Sequence, residues 1–415
     1  MSRQAAAEVA RRGVFAEPDF RRLWFVGFVS FVVRWLETLV TGLFTWNATG
    51  SAFLVAMMTM LRLLPMGLFG AFLGALAERV EGRTALLLTV GGSLLASLAA
   101  ALLAEAGALA VWHLAALSFV NGLAWAADNP VRRLMIGQAV GAERMGAAMS
   151  VDVGTNNATR LLGPALGGAI LAGAGIGGAF WVGVALYAAA FAVALALRAR
   201  VPPRPPSGDG VLARIGEGFA VVRRDRRLAG TLIVTVIFNL FGWPYNSLAP
   251  VVAQEHLRLG PEAVGLLVGM DGAGALAGAL LIAWLVPPAA YGRCYIGGLA
   301  LYLSSVALFA LAPNPVAAGA VLLLNGVGAS GFSIMQATLV YIAAPPELRS
   351  RVLGILSVCI GLGPIGFVHI GLLAEAAGPR AACVASALEG LAALALTRRW
   401  WRELWTDGYG KGTAP

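Results

Sequence analysis

Along the chain, apolar runs of about twenty residues alternate with short polar turns, and each run is long enough to cross the hydrocarbon core of a bilayer as a helix. The runs fall near 23–46, 52–76, 85–104, 108–136, 146–173, 178–198, 228–252, 262–286, 293–312, 315–343, 350–373 and 379–397. They predict twelve membrane-spanning helices. Turns between neighbours are short, except for the polar stretch 199–227, where Pro202, Pro203, Pro205 and Pro206 stop one helix and stiffen the way to the next. The expected organisation is a tail (1–22), a six-helix bundle (23–198), a linker (199–227), a second six-helix bundle (228–397) and a closing tail (398–415). Within the linker, Leu212, Ile215, Phe219 and Val222 recur at helical spacing opposite Arg214, Arg223 and Arg224, the pattern of a helix lying in the membrane interface.

Composition agrees. The 415 residues are 59% hydrophobic and 12% charged, with a mean hydropathy of +0.79. A soluble domain carries about 25% charged residues, so most of this chain avoids water and the fold class is an all-α polytopic membrane protein. The net charge of +9 would suggest nucleic acid in a soluble protein. Here its distribution decides otherwise: among the 30 basic residues only Arg258 and Arg380 fall in outer turns and Arg34, Arg62 and Arg160 within helices. The remainder sit on one side, which places both termini in the cytoplasm. Cys294, Cys359 and Cys383 have neither paired spacing nor a nearby histidine, which argues against disulfide and metal roles. The polar start, Met1 to Arg22, has no short apolar core before a cleavage site and does not read as a secretory signal.

Ionisable residues inside membrane helices are costly, so each is a candidate for function. Arg34 and Glu37 stand three apart on the first helix, able to neutralise each other. Arg62 and Arg160 lie near the midplane, and Asp271 and Glu389 lie about 13 Å in from the outer face at 1.5 Å per residue. Together they predict a cavity with a basic wall from the first half and an acidic wall from the second, suited to an anionic or zwitterionic organic molecule. Asn239, Trp243, Tyr245 and Asn246 around Pro244 offer stacking and hydrogen bonds to it, and Asn325 in the tenth helix joins them. Glu37, Asp271, Glu389 and His369 are the candidates for proton coupling, His369 because its side chain titrates near neutral pH. A packing role for His369, and an interfacial role for the aromatic residues, are open alternatives. The fifth helix carries Gly154, Gly163, Pro164, Gly167 and Gly168, a spacing that admits close helix contact with a proline bend. No phosphate loop, metal cluster or nucleophile with a base occurs, so neither catalysis nor ATP use is expected.

The turn Gly74-Ala75-Leu76-Ala77-Glu78-Arg79-Val80-Glu81-Gly82-Arg83 resembles the loop signature of the major facilitator superfamily, with Glu81 and Thr84 as departures. Asn121-Gly122 and Asn325-Gly326 mark corresponding helices of two parallel repeats, the architecture of that superfamily. Gly163-Pro164 followed by Gly167-Gly168 resembles the fifth-helix motif of its drug-proton antiporters, with a partial counterpart at Gly361 to Gly366. The start Phe20-Arg21-Arg22-Leu23-Trp24 and the stretches Asp128 to Arg133 and Asn157 to Arg160 resemble the subgroup that holds the enterobactin exporter and macrolide and multidrug efflux proteins.

The resemblance implies two six-helix bundles around a central site and export of a siderophore-like or drug-like molecule by alternating access and proton antiport. A metabolite importer or facilitator and a lysophospholipid flippase are the alternatives on the same fold. It also implies a cytoplasmic gate of Gly74, Glu78, Arg79, Arg83, Asp128, Arg132 and Asp152. Antiporters of this kind often carry an arginine in the fourth helix. Ser118 stands there, so Arg34, Arg62 or Arg160 would supply the charge. The expected setting is a bacterial inner membrane, with a monomeric chain, an organic substrate, protons and lipid as partners, no nucleic acid, and no cofactor beyond the proton gradient.

Overall fold

The computed structural model describes residues 13–198, 219–220, 222–223, 225–345 and 348–406, with the side chains of 70–79, 129, 142, 350 and 351 outside that set. Among the described residues the chain is helical, with no strand. Its helices are α1 (Pro18–Thr49), α2 (Ala52–Arg79), α3 (Gly82–Glu105), α4 (Val111–Val140) and α5 (Met145–Leu195). After the linker come α6 (Arg226–Ile237), α7 (Tyr245–Glu255), α8 (Pro261–Leu285), α9 (Tyr291–Ala310) and α10 (Pro315–Ala343). The last are α11 (Arg349–Ile360), α12 (Gly363–Ala377), α13 (Pro379–Leu396) and α14 (Arg398–Thr406). Most of the interfacial helix expected at 211–228 lies outside the described residues.

Among the described residues, ten helices are long and apolar enough to span a membrane. Two features reconcile this with twelve crossings. The 51-residue α5 breaks at Gly175, whose φ of 67° is open to glycine, and so crosses twice. The 30-residue α4 has the length but carries Asp128, Arg132 and Arg133 toward one end. Starts are set by local chemistry: Ser51, Asp225 and Asn314 accept hydrogen bonds from the first backbone amides of α2, α6 and α10. Prolines occupy the first turn of α1, α8, α10 and α13, where no amide donor is needed.

Two spans are broken where they face the centre. Pro244 has no N–H to give, and the turn before it, Phe238–Gly242, relaxes into a π-helix between α6 and α7. Leu362 separates α11 from α12 just ahead of Pro364. The breaks pack together: a Cβ at Gly366 would lie 2.5 Å from the Leu240 carbonyl and 2.7 Å from Pro244.

The first six spans and the last six meet along two glycine seams. On one, α5 lies against α8: Gly168 abuts Pro261 and Gly265, and Gly269 and Gly272 abut Leu161 and Arg160. On the other, α2 lies against α12 and its preceding turn, with Phe53 on Gly371 and Gly67 on Gly361. Hydrogen bonds from Gln254 to Asn47 (2.8 Å) and Ser51 to Glu375 (3.3 Å) close the end of the bundle remote from the chain termini. At Gly163 and Gly167 the motif of α5 instead packs on Val32, Trp35 and Leu36 of α1. Gly154 differs from expectation, because nothing lies within 4 Å of a Cβ placed there.

Since backbone meets backbone at Gly168, a side chain there forces α5 and α8 apart. Gly168→Leu is expected to widen the distance between spin labels placed at Asn47 and Gln254 by several ångström, measured by pulsed electron resonance in detergent.

Candidate functional site

A cavity of about 310 Å³ lies between the halves. Its wall carries three guanidinium groups, Arg34, Arg62 and Arg160, and six aromatic rings, Trp35, Trp125, Phe238, Trp243, Tyr302 and Phe367. Thr38, Thr59, Asn156, Asn246, Ser247 and Ser333 add neutral polar groups. Among the described residues no carboxylate lines it.

The acids stand behind the wall. Asp271 of α8 is buried and paired with Arg160 of α5, so this ion pair crosses the seam between the halves. The sequence had left Asp271 without a partner. Its other oxygen, Oδ1, has none in the structure. Glu37 is also buried and does not neutralise Arg34 as expected, although the two share a helix. It turns into the first bundle, accepting hydrogen bonds from Ser97 (2.6 Å) and Asn121 (3.0 Å), with Arg62 at 3.8 Å. Arg62 also donates to Thr38 (3.0 Å).

Arg34 is therefore the cavity's unbalanced charge. It donates to Asn156 Oδ1 at 2.9 Å, and its guanidinium carbon lies 4.8 Å from the Trp125 ring and 5.1 Å from Trp35. No described carboxylate lies within ion-pair distance of it. Aromatic faces stabilise a desolvated guanidinium and leave its charge free to act on a ligand. The first half thus supplies the basic wall foreseen in the sequence, but the second half supplies rings rather than an acidic wall.

Glu389 and His369 are the second correction. They pair with each other, Nε2 to Oε2 at 3.1 Å, half-exposed on α13 and α12, and neither lines the cavity. The four candidates around Pro244 separate likewise. Trp243 and Asn246 reach the cavity, with Asn246 donating to Tyr302 Oη at 3.0 Å. Asn239 bonds the Thr235 carbonyl, and Tyr245 donates to Asn325 at 2.7 Å, all three buried inside the second half. The sequence passed over Trp35, Trp125, Phe238, Tyr302 and Phe367. The two tryptophans carried a usable signal, since Trp35 adjoins Arg34 and Trp125 lies one turn from Asn121.

Of the expected gate, the side chains of Gly74, Glu78 and Arg79 lie outside the described residues. Arg83 donates to the Leu195 carbonyl at 2.5 Å. Asp128 and Asp152 both bind Arg132, which is fully buried and lies 4.8 Å from the Phe31 ring. A Cβ at Gly27 would fall 2.6 Å from this guanidinium, so the glycine makes room for it. Arg132, Asp128, Asp152, Phe31 and Gly27 belong to α1, α4 and α5, so in this conformer their cluster ties the first bundle to itself.

The fold, the broken helices and a central polar site define a membrane transporter. The sequence pattern of the Major Facilitator Superfamily matches residues 23–368 and again 231–404, and the chain belongs to that superfamily, whose members are transporters and not enzymes. Macrolide efflux protein A of Streptococcus pyogenes is 21% identical over 268 residues, covering 63% of this chain and 65% of that protein, so the likeness spans just under two thirds of that relative. An uncharacterized MFS-type transporter of Bacillus subtilis, YfiS, is 24% identical over 374 residues, 84% of each chain. A bacterial homolog of the human lysosomal transporter Spinster, inward-facing and unoccupied, superposes with a TM-score of 0.74 at 16% identity over 95% of this chain and 98% of its own. The nucleoside transporter NupG gives 0.72 at 14% identity over 92% and 99%. These structural likenesses concern the fold.

Removing Arg132 strands two buried carboxylates, a change that costs about 3–5 kcal/mol. Arg132→Leu is expected to lower the unfolding temperature in detergent by several degrees. Adding Asp128→Asn and Asp152→Asn to it should recover most of the loss.

Proposed function

We propose that the protein exports a zwitterionic aromatic molecule, siderophore-like or drug-like, by alternating access coupled to proton antiport. The observation that carries this reading is the cavity wall of three arginines and six rings, with both acids drawn behind it. Arg34 takes the anionic group, and Trp35, Trp125 and Trp243 flank the aromatic part. The macrolide efflux relative supports export over import, and the bias of basic residues toward one side supports cytoplasmic termini in a bacterial inner membrane. The contacts across the remote end, taken with the reading of cytoplasmic termini, support loading from the cytoplasm, the side from which an exporter takes its substrate.

The pair Arg160–Asp271 supplies a reason for exchange. It crosses the α5–α8 seam, so the remote end opens only after the pair is parted. Two events part it: a substrate that takes the place of each charge, or a proton on Asp271. The empty, unprotonated carrier stays locked, which is the rule an exchanger needs. A zwitterion competes with the proton at Asp271 and so drives antiport. A plain anion would satisfy only Arg160 and leave the Asp271 carboxylate without its counter-charge, so it would not drive proton release.

Adding a zwitterionic fluoroquinolone to purified protein in weakly buffered detergent is therefore expected to release protons, read with a pH dye. Arg34→Gln should weaken its binding about tenfold. Asp271→Asn should abolish proton release yet keep downhill exchange in liposomes. Proton uptake, or accumulation of the compound in energised cells, would point to an importer. Lipid translocation in liposomes would point to a flippase.

A further inference from the structure

Behind the cavity wall, within the first six spans, lies a second chamber of about 30 Å³, lined by Ser30, Thr89, Ser93, Asn121, Asp128 and Tyr187. Arg34, Arg62 and Trp125 line both spaces and form the partition between them. A volume of this size admits about two water molecules.

The polar groups are stacked by helix geometry. Thr89, Ser93 and Ser97 follow one another at single turns of α3, and Asn121 and Asp128 lie two turns apart on α4, about 10 Å of rise. The stack joins two buried acids. At one end Ser97 and Asn121 bond Glu37, which Arg62 also faces. At the other end Asp128 faces Arg132, behind which stand Asp152 and Arg133. Asn121 and Asp128 are each more than nine-tenths buried, line the chamber and hold a side-chain oxygen, Oδ1, that has no hydrogen-bond partner among the described residues. Buried oxygens left unmatched are uncommon, and water between them is the ordinary remedy.

We propose that this chamber is a proton path distinct from the substrate cavity, linking Asp128 to Glu37 through water and the hydroxyls of Thr89, Ser93 and Ser97. It rests on the reading of proton-coupled transport and adds the route. A proton leaving the Asp128 carboxyl passes to chamber water, water gives one to the next hydroxyl or water, and one arrives on Glu37, so the chamber keeps no net charge. The surrounding Arg34, Arg62 and Arg132 repel a resting hydronium or a metal cation, which confines the proton to stepwise transfer between neutral groups and the two carboxylates. A separate path lets Glu37 exchange its proton while substrate fills the cavity, and a protonated Glu37 releases Arg62 from its counter-charge.

Filling the chamber without touching either acid tests this. Ala124 lines it, and Ala124→Leu occupies most of its volume, with Ala124→Val as the milder variant. The rate at which Glu37 titrates after a pH jump is followed by its infrared carboxyl band, assigned by its loss in Glu37→Gln. Ala124→Leu is expected to slow that rate at least tenfold and Ala124→Val less, while fluoroquinolone affinity stays within threefold and the thermal unfolding temperature within a few degrees. A wild-type rate in either folded variant, or no pH-responsive Glu37 band in the parent protein, would overturn the path. A parent protein that moves no protons in energised liposomes would defeat the transport reading instead, and the infrared rate would still decide the route.

Discussion

The arrangement depends on the need to match every charge placed in the membrane interior. A lone buried ion costs several kcal/mol, and even a paired one recovers that cost only with good geometry and further hydrogen bonds. In this chain the matches are made at three levels. Arg132 is held by two carboxylates within one bundle, Arg62 by Glu37 between two helices of the same bundle, and Arg160 by Asp271 across the seam between bundles. Only the last would part in the rocking of the halves that the proposed mechanism requires. Charges that tie the two halves together are thus told apart from those held within one bundle by which elements their partners sit on, not by depth or burial.

Glycine does for the backbone what pairing does for charge. Under the proposed alternating access the seams would have to seal and separate in each cycle, and contacts of backbone on backbone suit this because no side chains interlock. Gly168 with Gly265, and Gly67 with Gly361, are therefore counterparts at the two places where the halves meet. The glycines one turn away from the α5–α8 seam, Gly163 and Gly167, face α1 instead, so one helix carries a fixed contact on one face and a movable one on the other. Pro164 stands between them on the cavity wall, where its missing donor bends α5 around the site.

The twelve runs, the glycine motif and the short list of intramembrane charges were legible because each follows from the bilayer acting as solvent, a local constraint on composition. Partners were not. Glu37 sits three residues from Arg34, a spacing that favours pairing on an isolated helix, but Ser97, Asn121 and Arg62 from three other helices offer it more hydrogen bonds. Asp271 looked solitary because its partner lies 111 residues away on the other half. Glu389 looked the same and found His369 on an exposed face, so two acids at like depth took opposite positions around the bundle. Helical phase relative to the cavity decides such cases, and it is fixed by tertiary packing that no single helix encodes.

Arg34 stands apart from this matching, and the contrast defines the site. Of the three arginines on the cavity wall it has only a neutral hydrogen-bond partner and aromatic neighbours. Rings supply part of the lost hydration at low cost in selectivity, since they offer no fixed counter-charge that a ligand must displace. A ligand anion therefore gains its full interaction at Arg34, whereas at Arg160 or Arg62 it must compete with a resident carboxylate. Binding and movement are thereby assigned to different arginines: affinity arises where no pair has to be broken, and the seam yields only where one does.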